Sequence, residues 1–196
     1  MQLTLPVFAL ALLEEASNSS GLPVDQLASL VVMLAAVALG PVMLYLPASG
    51  ASRLVIPPAI GIAFILVMHG LRGVGIMLAI SVVSYALVLM RPHGSPFVIT
   101  CFVLLTLSGM HLYRLYTDYG GWSIGVETVL MIFTGKYISF AYDVQDGRKL
   151  AMGEQLSTKP HEHEQRRERA VPMPTLLEYL SFIFAFWGSL QARRSS

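Results

Sequence analysis

The chain has 196 residues, of which 55% are hydrophobic and 13% are charged, and its formal net charge is +1. This composition excludes an ordinary soluble domain, and the small net charge excludes a broad basic surface that binds nucleic acid. A single cysteine, Cys101, excludes an internal disulfide and a metal site built from cysteines. With a mean hydropathy of +0.63, the chain is predicted to be an integral membrane protein whose partners are membrane lipids.

The first 26 residues begin with a short apolar run, 1–13, which is too short to span a bilayer. This run lacks the positively charged leader of a secretory signal, so we predict an interfacial or partly buried helix. Asn18 follows, and together with Ser19 and Ser20 it matches the acceptor pattern for N-glycosylation. No Lys or Arg occurs in 1–26, whereas cytoplasmic segments collect these residues, so we predict that 1–26 is lumenal.

Six apolar stretches are candidates for membrane-spanning helices. A spanning helix needs about 20 mostly apolar residues, because each residue rises about 1.5 Å and the hydrocarbon layer is about 30 Å thick. The stretches occupy 27–46, 54–71, 74–90, 96–116, 123–142 and 175–190. Glycines in 70–75 predict a helical hairpin between the second and third stretches. We therefore predict an all-α fold, a polytopic transmembrane helix bundle with about six spans, five of them within 27–142.

The stretch 143–174 is polar and is predicted to be a cytoplasmic loop. It holds nearly half of the 13 Lys and Arg residues in the chain, and such residues mark the cytoplasmic side of a membrane protein. The remaining stretch, 175–196, is predicted to contain a sixth, short span followed by a basic tail. In this topology, the N-terminus and the 143–174 loop lie on opposite sides of the membrane.

His111, Arg114 and Asp118 lie at the end of the fourth predicted span, three and four residues apart. Because successive helical residues turn by about 100°, these three side chains share one face and form a polar cluster. The cluster is a candidate contact for a polar headgroup or substrate. The alternative is interfacial anchoring, in which the charged residues join an aromatic belt at the membrane surface. That belt would consist of Tyr113, Tyr116, Tyr119 and Trp122.

Glu127 and Lys136 are charged residues within the fifth predicted span. They are nine residues apart, which turns them about 180° around the helix and separates them by about 13 Å, so they cannot pair with each other. Charges at membrane depth cost a few kcal/mol each, so each must find a partner on another helix or lie near water. The alternatives are structural pairing and a role in lining a substrate chamber.

Catalytic and metal-binding motifs are not found in the sequence. His161, Glu162, His163 and Glu164 lack the i and i+4 histidine spacing of a zinc protease, and a solvated loop explains them. The Gly-x-Ser-x-Gly nucleophile motif and glycine-rich phosphate loops are absent. We therefore predict no metal site and no catalytic residue from these patterns.

Several separated blocks, in order, resemble the membrane-bound O-acyltransferases, and most closely their lysophospholipid acyltransferase branch. The blocks are GLPVDQL (21–27), HLYR (111–114), DYGGW (118–122), the helix with Lys136 that closes on DGR (146–148), and PTLLEYL (174–180). The resemblance implies the N-terminal part of that fold. It also implies an enzyme of the endoplasmic reticulum that moves a fatty acyl group from acyl-CoA to a lysophospholipid during phospholipid remodelling, with acyl-CoA as co-substrate and no other cofactor.

In the family, the reactive centre is an Asn and a His, and the resemblance places both beyond the matched blocks. No residue of this chain is therefore assigned as catalytic, and we expect the chain to be a fragment or shortened form that is inactive alone. The alternatives are a non-catalytic polytopic membrane protein and a transporter-like module with a polar path along His111, Arg114, Glu127 and Lys136. The short chain could also act as a partner of full-length copies. Its oligomeric state is not predicted.

Overall fold

The computed structural model describes residues 7–44, 51–90, 95–120, 124–156 and 160–185, and every regular element in these ranges is an α-helix. The helices are α1 (Val7–Ser20), α2 (Val24–Leu44), α3 (Ala51–Met90), α4 (Ser95–Thr117), α5 (Val126–Ala151), α6 (Pro160–Arg169) and α7 (Leu176–Phe184). The all-α prediction is confirmed for this part of the chain.

Helices α1 and α2 meet at a sharp bend of 109°, measured between Ala11–Ser20 and Val24–Leu39. Gly21 makes the bend with a φ of 71°, a conformation that glycine adopts without steric cost. The Ser17 hydroxyl donates to the carbonyl of Leu22 over 2.7 Å and holds the corner closed. Helix α1 overlaps the short apolar helix that the sequence indicated.

Helix α3 is broken at Gly70, where φ is 66° and ψ is −170°. The two arms of α3, residues 51–69 and 71–90, fold back on each other. The evidence is that both arms contact the short helix α7. Gly61 in the first arm packs on the backbone of Phe184, and the Tyr85 ring in the second arm lies 5.2 Å from the Tyr179 ring. A straight helix would separate Gly61 from Tyr85 by about 36 Å, whereas Tyr179 and Phe184 are only about 8 Å apart along α7. The break therefore reverses the chain, as the hairpin prediction required.

The core lies between α3, α4, α5 and α7. Helix α5 contributes the most buried side chains, among them Phe133, Tyr137 and Phe140, and α7 contributes Ile183 and Phe184. Aromatic rings pack at ring distances of 4.6 to 6.4 Å across this core. Burial of these rings stabilises the fold by about 25 cal/mol per Å² of apolar area removed from water.

The prediction of about six spans is not confirmed. Two helices of the described chain are long and apolar enough to cross a membrane, Val55–Met90 and Ser95–Thr117, with a third if the bent pair of α1 and α2 is one span. In this count, Val55–Met90 of α3 is treated as one helix although α3 is broken at Gly70. Helix α5, which carries Glu127 and Lys136, is not among these helices. Helix α7 has nine residues, and 186–190 of the predicted sixth span lies outside the described residues, as does the basic tail.

The 143–174 stretch differs from the predicted loop because much of it is helical. Helix α5 continues to Ala151, and α6 follows at Pro160–Arg169. Arg166 of α6 donates to both carboxylate oxygens of the buried Asp146 in α5, over 2.8 and 2.6 Å. It also donates to the carbonyl of Leu156 over 2.9 Å. A bidentate pair of this kind fixes geometry as well as adding free energy, and it holds α6 against α5.

Candidate functional site

A cavity of about 1060 Å³ opens where the break in α3, the end of α4 and the start of α5 meet. Its polar lining comes from all three helices. Its apolar lining includes Ile76 and Ile80 of α3 and Met110 of α4. The cavity is therefore amphiphilic, with charged groups and hydrocarbon side chains facing the same space. The polar lining side chains include His69, Arg72, Tyr113, Arg114, Asp118 and Glu127.

Arg114 and Glu127 form an ion pair that joins α4 to α5 across the cavity wall. Their side chains are 26% and 8% exposed, so both charges are largely removed from water. Glu127 lies in the first turn of α5, where the helix dipole also favours a negative charge. The expectation that Glu127 finds its partner on another helix is confirmed.

The residues before α5, Ile124 and Gly125, determine where the Glu127 carboxylate lies. A Cβ atom at Gly125 would overlap that carboxylate, so glycine leaves the space into which Glu127 folds back. The Asp25 carboxylate at the start of α2 accepts a hydrogen bond from the backbone N–H of Ile124 over 2.9 Å. The loop is thereby tied to α2, and the position of the ion pair depends on three helices.

His69 and Arg72 flank the break in α3 and line the cavity, and neither is among the site residues predicted from the sequence. The Nε2 atom of His69 is buried and has no hydrogen-bond partner among the described residues, whereas Arg72 is exposed. One signal was available, because Arg72 lies between the second and third predicted spans, which the predicted topology places on the same side of the membrane as the end of the fourth span with Arg114. The sequence does not indicate that α3 and α4 line one cavity, because this depends on how the helices pack.

The predicted cluster of His111, Arg114 and Asp118 is only partly brought together. Arg114 and Asp118 line the cavity, with Asp118 exposed at its rim. His111 is exposed and is not part of the lining. Tyr113, Tyr116 and Tyr119 are exposed beside it, as in a belt at a membrane surface, while Trp122 lies outside the described residues.

Lys136 lies away from the cavity and caps another helix. Its Nζ donates to the carbonyl of Ile183 over 2.9 Å and also to the carbonyl of Ala185, at the end of α7. The last carbonyls of a helix have no partner within the helix and carry partial negative charge, so an ammonium there is favourable. The expected partner on another helix is confirmed. Of the four residues named for a transporter path, Arg114 and Glu127 line the cavity, whereas His111 and Lys136 do not.

Two further sequence candidates lie outside the cavity. Asn18, the candidate glycosylation acceptor, is exposed near the end of α1. His163 accepts a hydrogen bond at its Nδ1 from the backbone N–H of Leu156 over 3.2 Å, which ties the segment after α5 to α6.

Comparison with known proteins gives matches in sequence but none among solved structures or family models. The chain is 30% identical over 188 residues to membrane-bound glycerophospholipid O-acyltransferase 2 of Homo sapiens and of Rattus norvegicus. It is 33% identical over 81 residues to lysophospholipid acyltransferase 6 of Drosophila melanogaster. The chain is related to the membrane-bound O-acyltransferases.

The two O-acyltransferase 2 matches cover 91% of this chain and 34% of each relative, and the Drosophila match covers 41% of this chain and 10% of that protein. The chain thus spans about a third of the length of the mammalian acyltransferases it matches. Because a contiguous match to 91% of the chain omits residues only at its two ends, the cavity-lining stretch 69–127 lies within the matched region. Together with the apolar helices, the relationship identifies an integral membrane protein.

Proposed function

We propose that this chain forms part of an enzyme that transfers a fatty acyl group from acyl-CoA to a lysophospholipid during phospholipid remodelling in the endoplasmic reticulum. The supporting observation is the 30% identity over 91% of the chain to relatives named as glycerophospholipid O-acyltransferases. The amphiphilic cavity within the matched region adds to it, because a lysophospholipid has a charged headgroup and an apolar chain.

In this reaction, the free hydroxyl oxygen of the lysophospholipid attacks the carbonyl carbon of the thioester. A C–O ester bond forms, the C–S bond breaks, and the hydroxyl proton leaves with the sulfur as the thiol of CoA. We assign to this chain the binding of the acceptor lipid, with Arg114, Asp118 and Glu127 as headgroup contacts. We assign no proton transfer to its residues.

A chimeric enzyme tests this proposal. The matched region of human membrane-bound glycerophospholipid O-acyltransferase 2 is replaced by the corresponding residues of this chain, and transfer from labelled acyl-CoA to lysophosphatidylcholine is measured in membranes. We expect transfer well above that of membranes without the chimera. The control is the same replacement made with the rat sequence, which shows that the junctions are tolerated.

A chimera that inserts and folds but transfers no acyl group, beside an active rat control, would contradict the proposal and favour a non-catalytic membrane protein. The chain alone is measured in the same assay. Because no catalytic residue is assigned to it, we expect no transfer above background.

A further inference from the structure

Helix α5 has one packed side and one open side. The packed side carries the core residues Phe133, Tyr137 and Phe140 and the partners of Glu127 and Lys136 on other helices. Six other residues of α5 are exposed, and at about 100° per residue they fall within an arc of about 100° around the helix. These six residues, here called the open face of α5, are Thr128, Met131, Ile132, Gly135, Ser139 and Tyr142.

The open face differs in composition from the outward sides of α2 and α4. The exposed side chains described for α2 are mostly large and apolar. On α4, an arc of similar width holds the exposed positions 97, 104, 105, 108, 112 and 115, which are one phenylalanine, four leucines and one serine. Half of the open face consists instead of Thr128, Gly135 and Ser139. Small and hydroxyl-bearing residues are typical of contacts between helices in a membrane, because lipid tails are as apolar as leucine and helices associate through close packing and hydrogen bonds.

The shape of the open face permits this kind of contact. A Cβ atom built at Gly135 meets nothing within 4 Å, so another backbone can approach α5 closely at this position. Ser139 lies one turn further along the same side. Met131, Ile132 and Tyr142 flank these two residues and offer apolar area to a helix that lies across them.

Lys136 lies at the edge of the open face, directly after Gly135. Its Nζ donates to the carbonyls of Ile183 and Ala185, yet the residue is only half-buried in the structure. Charged groups at membrane depth face other protein or water, because contact of a charge with hydrocarbon is unfavourable. A membrane-crossing helix with a half-buried ammonium beside an uncovered side therefore requires further protein on that side.

The relatives are long enough to supply this protein. The matches cover 34% of each mammalian O-acyltransferase 2, so about two thirds of those enzymes lies outside the part that this chain resembles. We propose that the open face of α5 is the surface on which a transmembrane helix from that remaining part of the enzyme packs, with its closest approach at Gly135 and Ser139. This inference rests on the proposed function, in which the chain forms part of a longer enzyme.

Photolabelling by lipid tests the proposal. The purified 196-residue chain and the chimeric enzyme are each reconstituted in phosphatidylcholine vesicles that contain a phospholipid with a diazirine in its acyl chain, and labelled residues are located by mass spectrometry. In the chain alone, we expect labels on Met131 and Ile132 of α5 and on Leu104 and Leu105 of α4. In the chimera, the labels on α5 should be lost and those on α4 retained.

A substitution at the point of closest approach gives a second readout. Gly135→Leu adds a side chain where the chain alone has free space, so the melting temperature of the chain alone should not fall. In the chimera, the added side chain would overlap the packed helix, and the melting temperature should fall. The matched control is Ser108→Leu, which makes a similar change on the outward side of α4 and should lower neither melting temperature.

A ratio of α5 to α4 labelling that is the same in the chain and in the chimera would overturn the proposal and leave the open face to lipid. Absence of labels on Met131 and Ile132 in the chain alone would also overturn it, because a second copy of the chain would then cover the face. Equal effects of Gly135→Leu and Ser108→Leu on the chimera would contradict it as well.

Neither readout requires acyl transfer, so the two proposals fail separately. A folded but inactive chimera whose α5 labels are lost contradicts only the proposed function. An active chimera in which Met131 and Ile132 remain labelled contradicts only the packing inferred for α5.

Discussion

At the scale of single residues, several charged side chains in this apolar chain are held by partners on other helices. Arg114 pairs with Glu127, and Lys136 caps the end of α7. Outside the apolar helices, Asp146 receives both hydrogen bonds of the Arg166 fork, and this bond raises the pKa of Arg166 further above its ordinary value. Each of these charges therefore adds a link between helices instead of leaving an unpaired charge in an apolar environment.

Asp143, in the last third of α5, differs from these residues because its surroundings disfavour its charge. Burial raises the pKa of its carboxyl to about 6, while Arg169 lowers the pKa and the neighbouring Asp146 raises it. The folded protein therefore holds this proton more tightly than the unfolded chain does. The resulting stability is fully present below about pH 4 and is lost as the pH rises through about 6.

Asp143→Asn should accordingly stabilise the protein at pH 7, where the native carboxylate is charged. Because the group is partly solvated, we expect a gain of about 1 kcal/mol in the free energy of unfolding, which shrinks toward zero near pH 4. Melting temperatures of the detergent-solubilised protein between pH 4 and pH 8 measure this difference. The matched variant Asp146→Asn loses its pair with Arg166 and should be destabilised at pH 7; stabilisation by both variants would contradict our account.

At the scale of elements, the packing of α7 into the fold of α3 depends on a close backbone approach. Gly61 lies directly against the carbonyl of Phe184, and any side chain at this position would overlap that oxygen. The same end of α7 is held by Lys136 from α5, and its start is closed by a capping box between Thr175 and Glu178. Helix α7 is short, but both of its ends are fixed.

Gly61→Ala should therefore destabilise the protein by about 2 kcal/mol, because a backbone carbonyl has to move to admit the methyl group. The control is Gly135→Ala in α5, where the added methyl meets nothing within 4 Å. That substitution should be neutral or stabilising by up to about 1 kcal/mol, since alanine favours a helix more than glycine does. Thermal unfolding of both variants in the same detergent distinguishes them. Equal melting temperatures would contradict the conclusion that packing of α7 requires glycine at position 61.

At the scale of the whole molecule, the number and direction of membrane crossings depend on α5. Helix α5 has 26 residues and is about 39 Å long, which exceeds the thickness of the hydrocarbon layer. It is not among the helices counted as apolar spans, but its charged residues Glu127 and Lys136 are both paired with other helices. An enclosed helix of this length can cross a membrane without exposing these charges to lipid.

Cysteine labelling tests this crossing and the predicted sidedness together. In a Cys101→Ser background, Tyr119→Cys and Glu154→Cys place a thiol at an exposed position near each end of α5. In sealed microsomes, we expect a membrane-impermeant maleimide to label the cysteine at 154 directly and the cysteine at 119 only after permeabilisation. Labelling of both from one side would show that α5 does not cross.

The sequence by itself determined the features that depend on local chemistry. Apolar composition required helices in a membrane, Gly70 lay in the stretch predicted to reverse the chain, and the nine-residue spacing of Glu127 and Lys136 required partners elsewhere. The resemblance in separated blocks was sufficient to indicate the acyltransferase relationship. These conclusions needed no knowledge of which helices are neighbours.

Only the tertiary structure decided which residues meet. Lys136 contacts backbone 47 residues away, and the cavity brings His69 and Arg72 beside Arg114 although no periodicity links them. The structure also removed His111 from the predicted cluster and turned part of the 143–174 stretch into a helix held by Asp146 and Arg166. The physical reason is that helix periodicity fixes the face on which a side chain lies, whereas the partner of that face is set by how the helices pack.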